Sequence, residues 1–340
     1  MKRTRKQRFQ TVIKLLAVAL ILSFPYVDRS VAAERPFRIG VVVPGDQYLP
    51  SVAGLKRGMK DLNYIQERDV NYLLENSGRD KAKLIDMTKK QLAEKVNLIF
   101  TATNTALAVV GPLAKPSKTP VVFGSAAGPV ESGIVPAYAT PDSHITGVTS
   151  AGIELTEKRL DVLREIFPKA KKIAIFADPN TESSVAAVVV ARKAAARLGF
   201  TLVERRINNP QEALEAAKKL TLKDADVLFH TPGLANTIAI SELAGFARNQ
   251  RIPFAAYQME HVRDDGALLS YGSSYFLQGK QAARLVGLIL KGALVHQLPI
   301  ERPEKYELIL NLDTAKAIGV NFAPAILSRA DALVRKAKNN

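Results

Sequence analysis

Cysteine is absent from the 340 residues, which removes disulfides, thiolate nucleophiles, Cys-ligated zinc and iron–sulfur clusters together. Histidine is scarce: the four (His144, His230, His261, His296) stand at no metal-ligand spacing. Only His230 directly follows a predicted strand, where it reads as structural. The chain has no Gly-x-Ser-x-Gly elbow and no His-Glu-x-x-His, so two common hydrolase signatures are missing. The turn Pro44-Gly45-Asp46-Gln47-Tyr48 is neither a dinucleotide fingerprint nor a phosphate loop. No low-complexity linker divides the chain, and no apolar run approaches the roughly 20 residues that span a bilayer.

Positive charge is plentiful, with a formal net of +16, but its distribution argues against nucleic acid. Residues 1–33 hold Lys2, Arg3, Arg5, Lys6, Arg8, Lys14 and Arg29 against Asp28 alone, which accounts for +6 of the +16. The rest is mixed with acids along the whole length, a basic surface without a basic arm. The front segment is basic, then apolar from Leu15 to Leu22, then Val31-Ala32-Ala33 before Glu34. That order predicts a signal peptide cut after Ala33. No Cys follows it for a lipid anchor, and no Arg-Arg pair precedes it for twin-arginine export. The expected product is soluble and periplasmic, released through the general secretory route, where chemistry dependent on ATP or NAD has no supply.

A length of 340 exceeds what one hydrophobic core usually supports, so two lobes are expected. β-Branched runs alternate with helical stretches, the pattern of parallel sheets covered by helices. Strands are predicted over 38–43, 70–75, 98–100 and 120–123, with helices over 51–62, 81–94 and after Asn104. The alternation restarts after Thr146-Gly147-Val148. Helices are predicted over 156–167, 183–198, from Asn209-Pro210-Gln211-Glu212, and over 238–249; strands fall at 172–176, 201–206, 226–229 and 252–257. The helix start at Asn209 combines an Asn cap, Pro in the first turn and an acid at the third position. A strand at 266–271, a helix over 278–291 ending at Gly292, an alternating strand over 306–312 and short helices to Lys336 complete the chain. These late elements exceed what the second lobe needs, so the chain is expected to re-enter the first lobe near Ala267. The predicted lobes are 36–148 plus 264–295, and 149–263 plus 296–336.

Several motifs fall in one order along the chain: Pro120-Val121-Val122-Phe123, Pro129-Val130-Glu131-Ser132-Gly133-Ile134-Val135, Pro141, Ile145-Thr146-Gly147-Val148, Gly266-Ala267-Leu268-Leu269-Ser270-Tyr271-Gly272, Leu298-Pro299-Ile300, Tyr306-Glu307-Leu308 and Asn311-Leu312-Asp313-Thr314-Ala315-Lys316-Ala317-Ile318-Gly319. In this order they resemble the ABC-transporter substrate-binding family that includes the tryptophan/tyrosine-type binding proteins. The resemblance implies an α/β type I periplasmic-binding fold: two Rossmann-like lobes with parallel sheets, joined by three crossover segments, with the ligand held between them. It implies a small-molecule solute and an inner-membrane ABC permease as partners, and no catalysis. No cofactor, metal or nucleic acid is expected, and a monomer is. Two positions depart from the family pattern. Gly128-Pro129 stands where an Asp-Pro is common, and Thr231-Pro232-Gly233 where an acid-containing turn is common. Both remove negative charge near the expected cleft, which argues against an aromatic amino acid as ligand and for a more acidic or neutral solute.

In open α/β sheets, ligands sit beyond the carboxyl ends of the strands, where helix N-termini point free amides. The candidates in the first lobe are therefore Asp46, Gln47, Tyr48, Thr103, Asn104, Thr105, Ser125 and Ala126. In the second they are Asn180, Thr181, Glu182, Ser183, Ser184, Thr231, Asn236, Gln258 and Glu260. The hydroxyl-rich helix starts at Thr103-Asn104-Thr105 and Thr181 with Ser183-Ser184 suit a carboxylate, although the same residue types serve as ordinary caps. An ammonium would call for Asp46, Glu182 or Glu260, each otherwise a solvated loop acid. Tyr48, Phe123, Tyr257 and Tyr271 could pack on an apolar group or simply fill the lobe cores. Two other functions stay open on sequence: a periplasmic sensor presenting the same bilobed domain to a membrane kinase, and, with less support, a periplasmic hydrolase. A DNA-binding regulator of similar shape would need a helix-turn-helix where the signal peptide lies.

Overall fold

The computed structural model describes residues 36–139 and 144–335. The expected signal peptide, Pro141 and Lys336 lie outside the described residues. The first sheet is built from β1 (Phe37–Val43), β2 (Val70–Asn76), β3 (Leu98–Ala102), β4 (Val121–Ala126) and β5 (Ile145–Thr149), in the order β2-β1-β3-β4-β5. All its pairings are parallel. Helices α1 (Leu49–Asp61), α2 (Lys81–Ala93) and α3 (Thr103–Ala114) make the crossovers. Because they cover both faces, the strands read as continuous apolar runs rather than alternating ones: Ile39, Val41 and Val43 face one core, Val42 and Ile99 the other.

The second sheet has seven strands, ordered β12-β11-β10-β9-β8-β6-β7. These are β6 (Lys172–Ala177), β7 (Thr201–Arg206), β8 (Val227–Phe229), β9 (Phe254–Ala256), β10 (Leu269–Gly272), β11 (Glu307–Asn311) and β12 (Ala332–Val334). Its helices are α4 (Thr156–Ile166), α5 (Glu182–Leu198), α6 (Pro210–Lys219), α7 (Leu234–Ile238), α8 (Ile240–Asn249) and α9 (Met259–Arg263). Then come α10 (Tyr275–Leu290), α11 (Leu312–Ile318) and α12 (Pro324–Arg329). The Asn209 cap forms as its sequence predicts: its side chain accepts from Glu212 N at 2.9 Å, and the Glu212 carboxylate returns to Asn208 N at 2.9 Å.

The structure corrects the expected point of re-entry. The 266–271 strand stays in the second sheet, where β10 pairs parallel with β9 and antiparallel with β11. Leu268 and Leu269 enter one core of that lobe and Ala267 the other, so leaving the sheet there would strip both. The chain instead crosses at Ser273-Ser274, and Ser274 Oγ caps α10 by accepting from Leu277 N at 2.9 Å. The first lobe thus receives a helix, not a strand and a helix. The next crossing also comes later than position 296. Glu301 N donates to Gly147 O, and Thr149 N donates to Glu301 O, both at 2.9 Å, while Ile300 packs in the first-lobe core. After Glu301 the chain returns to form β11. The short helices expected to run on to Lys336 give way to β12, which pairs with β11.

Helix α10 crosses α1 so closely that the backbones touch. A Cβ on Gly54 would fall inside the Phe276 carbonyl oxygen, and one on Gly279 inside the Ser51 carbonyl oxygen. Gly58 faces the Ala283 methyl in the same way, 2.6 Å from where its own Cβ would be.

Candidate functional site

The carboxyl ends of the two sheets face each other, and the residues after their strands line one small cavity of about 30 Å³. The first lobe contributes Tyr48 after β1, Thr103, Asn104 and Thr105 after β3, and Ser125 and Ala127 at the end of β4. The second contributes Thr181 and Ser183 after β6, Pro232, Gly233, Leu234 and Thr237 after β8, and Tyr257 after β9. Room for about one water means that the two lobes are nearly in contact here.

The first-lobe wall is held under backbone strain. Thr103 has φ 76° and Ser125 has φ 70°, left-handed values that are uncommon for residues with a Cβ and a true outlier for a β-branched one. Such conformations cost of order 1–3 kcal/mol and persist where their surroundings over-determine them, often at ligand sites. Asn104 supplies part of that restraint: its Oδ1 accepts from Ala127 N at 2.7 Å and its Nδ2 donates to Ser132 Oγ at 2.7 Å. Thr103 Oγ1 accepts from Ala106 N at 3.3 Å, inside the first turn of α3.

Asp178 organises the second-lobe wall. Its carboxylate accepts from the Thr181 hydroxyl at 2.7 Å and from Asn180 N at 2.9 Å, and its own amide donates to Ser184 Oγ at 3.0 Å. The Thr231 hydroxyl and Asn236 Nδ2 both donate to Phe176 O, at 3.1 and 2.8 Å, and so tie the turn after β8 to β6.

Of the residues named from sequence, the cavity brings together Tyr48, Thr103, Asn104, Thr105, Ser125, Thr181, Ser183 and Tyr257. The others stand elsewhere. Asp46 is exposed and accepts from Asn76 Nδ2 at 2.7 Å, and Gln47 beside it is outside the lining. Ala126 is buried within β4. Asn180 donates to Asn208 O at 3.2 Å, and Glu182 is exposed on the first turn of α5. Ser184, Thr231 and Asn236 are buried supports behind the wall. Gln258 is buried and Glu260 half-buried, and neither lines the cavity. Leu234 is a lining residue that the sequence reading does not single out, although its position just after the Pro232-Gly233 turn is the available signal.

Behind Tyr257 lies a buried cluster centred on Arg159 and His230. The Arg159 guanidinium donates from Nη2 to His230 O at 2.8 Å and stacks over the Phe229 ring, 4.3 Å to its centroid, and over Tyr257 at 5.7 Å. Its Nη1 makes no hydrogen bond, and burial draws its pKa down to about 9. The His230 ring stands 5.1 Å from Tyr257 and 5.4 Å from His261, with neither nitrogen hydrogen-bonded. Burial first, then His261 and Arg159, hold its pKa well below the ordinary value. His261 Nδ1 meets Asp265 Oδ2 at 3.0 Å. Across the lobes, the Tyr257 and Tyr275 hydroxyls are 3.2 Å apart, and Tyr275 packs edge-on against Tyr48 at 5.4 Å. Glu260 is half-buried near the first turn of α10, and its loss of solvent raises its pKa.

Among the described residues no group of three His, Asp or Glu side chains could hold a metal. The arrangement offers hydroxyls, amides and helix amides on two facing walls, with aromatic rings at one end.

The family model for the ABC transporter substrate binding protein matches residues 37–334. A curated relative, the tyrosine-binding protein of Clostridioides difficile, is 25% identical over 273 residues, covering 79% of this chain and 77% of the relative. Two solved structures share the fold. A conserved domain protein from Vibrio cholerae superposes with TM-score 0.81 at 21% identity, covering 88% of this chain and 99% of that one. The ABC domain in complex with L-Trp from Streptococcus pneumonia superposes with TM-score 0.78 at 17% identity, covering 88% and 100%. With parallel sheets in two lobes and a match over almost all its described length, this chain has the type I periplasmic-binding fold and belongs to the ABC transporter substrate-binding protein family.

Proposed function

We propose that this chain is the periplasmic solute-binding component of an ABC importer, capturing a small polar or amino-acid-like solute between its lobes and handing it to a membrane permease without chemical change. The observation that carries this reading is the cavity lined from both lobes by strand-end hydroxyls and helix starts, with Thr103, Asn104 and Thr105 on one side and Thr181 and Ser183 on the other. The relatives that carry tyrosine-binding in their name or L-Trp in their complex make amino-acid-like solutes the natural starting panel.

Three crossings between the lobes form a hinge. Solute first docks on one open lobe, and closure then brings the other lobe's hydroxyls and helix dipole onto it, shifting the population toward the closed form. A micromolar affinity corresponds to about −8 kcal/mol, within reach of a few charge-assisted hydrogen bonds and some apolar burial after ordering costs. Thermal-shift screening of the purified protein against amino acids, small carboxylates and purine- or sugar-like solutes is expected to give a hit that raises the Tm. With that solute, Thr105→Ala and Ser183→Ala should each weaken binding by about 1–2 kcal/mol, read by calorimetry, and barely move the melting of the unliganded protein. Unchanged affinity in both variants would place the site elsewhere.

A further inference from the structure

We infer that the cleft takes a solute whose anionic group is not offset by an ammonium, an organic carboxylate rather than a zwitterionic amino acid. The inference rests on the solute-binding reading and narrows it.

No lining residue of the cavity carries a carboxylate or a formal positive charge. The acids nearest to it are already committed or stand outside the lining. Asp178 is spent on the Thr181 hydroxyl and the Asn180 amide, while Asp46 and Glu182 are exposed outside the lining. Glu260 is half-buried and stands outside the lining, with its Oε2 making no hydrogen bond. An ammonium desolvated between the closed lobes would find hydroxyls and carbonyls but no countercharge, a costly burial.

The field in the cleft has the opposite preference. The N-termini of α3 (12 residues) and α5 (17 residues) meet there from opposite lobes, each with a partial positive charge on its free amides. Arg159 adds a full charge from behind the wall. It is 3% exposed, bonds to the His230 carbonyl that precedes the Thr231-Pro232-Gly233 turn, and leaves Nη1 without a hydrogen bond. A buried guanidinium with no carboxylate partner is expensive unless an anion arrives to share its field. A ligand carboxylate in the cleft supplies that anion, held by helix amides and the Thr105 and Ser183 hydroxyls, with Arg159 positioning no atom but setting the sign of the potential.

The test compares matched pairs by calorimetry on the purified protein: alanine with propionate, valine with isovalerate, phenylalanine with 3-phenylpropionate, and tyrosine with 3-(4-hydroxyphenyl)propionate. In whichever pair binds, the deaminated acid is expected to bind about tenfold tighter or better. An amino acid that binds more tightly than its acid overturns the inference and leaves the solute-binding reading intact, most directly if Glu260→Gln removes that preference. Binding of a sugar or polyol with no carboxylate pair binding has the same effect. No binding by any solute overturns both. Arg159→Met supplies the second arm. It should lower affinity for the acid about tenfold yet leave affinity for the corresponding neutral amide unchanged. Equal loss for acid and amide, or no loss, removes Arg159 from the account; should the variant fail to fold, the pairwise comparison alone decides.

Discussion

Gly279→Val is expected to lower the stability of the protein by about 3 kcal/mol, at the upper end of overpacking costs, read as a loss in urea midpoint with little change in m-value. The cause is the crossing of α1 and α10. The Cβ of any larger residue at 279 would overlap the Ser51 carbonyl oxygen, a main-chain atom that cannot rotate away. The two helices must part, and the side chains that α10 brings to the first-lobe core, Ala282, Ala283, Leu285 and Val286, part with them. Gly245 in α8 is the control, since a Cβ there meets nothing within 4 Å. Gly245→Ala should stabilise by up to about 1 kcal/mol through reduced unfolded-chain entropy and better helix propensity. If Gly279→Val melts like the parent, the helices are not in backbone contact in solution.

A second large effect is expected from pH. His230 is buried with its pKa well below the ordinary value, so the folded protein keeps it neutral while the unfolded chain protonates it below about 6.5. In that window the unfolded state binds more protons, and stability falls as pH falls, by about 1.4 kcal/mol per pH unit for one group. The stability attributable to this side chain is therefore lost progressively as pH falls below about 6.5. His230→Phe places an aromatic ring among Phe254, Tyr257 and His261 without breaking a hydrogen bond, since neither ring nitrogen makes one. The slope of unfolding free energy against pH should then flatten by about one proton over that range. Glu260 works in the reverse sense. Its raised pKa penalises the folded state as pH rises above the ordinary carboxylate range, so Glu260→Gln should gain stability at neutral pH and none in acid. An unchanged slope in His230→Phe would mean that the ring titrates freely in the folded protein.

The fold is legible in sequence wherever local pattern and burial coincide. The run Ile39-Gly40-Val41-Val42-Val43 is apolar on both faces because helices cover both, and the Asn209 cap forms because its donors lie within four residues. The destination of a strand is another matter. Gly266-Ala267-Leu268-Leu269-Ser270-Tyr271 declares a buried strand but not which sheet will take it; that is decided by pairing with β9 and β11, the latter almost forty residues later, where Leu269 stands opposite Leu310. The strand-end rule leads to both walls of the cavity because sheet direction alone fixes where strand ends gather. It does not separate Thr181, which faces the cavity, from Asn180, which turns to Asn208. Arg159 escapes that rule, yet its position carries a signal. Thr156, Arg159, Leu160 and Leu163 share one helical face, and that face is the buried one. A charged residue in phase with apolar ones marks a burial that needs a reason, and the helical period alone reveals it.

Helix α10 also bears on how the molecule is made. The first sheet is complete in sequence by Thr149, yet the side of its core that α1 covers in part is not closed until residues 275–290 have been synthesised. The nascent chain must therefore carry a bare apolar surface through the whole time that residues 150–272 are added. Completion of this lobe must await α10, and contacts so distant in sequence fold slowly. Truncations anywhere before Tyr275 should yield insoluble products.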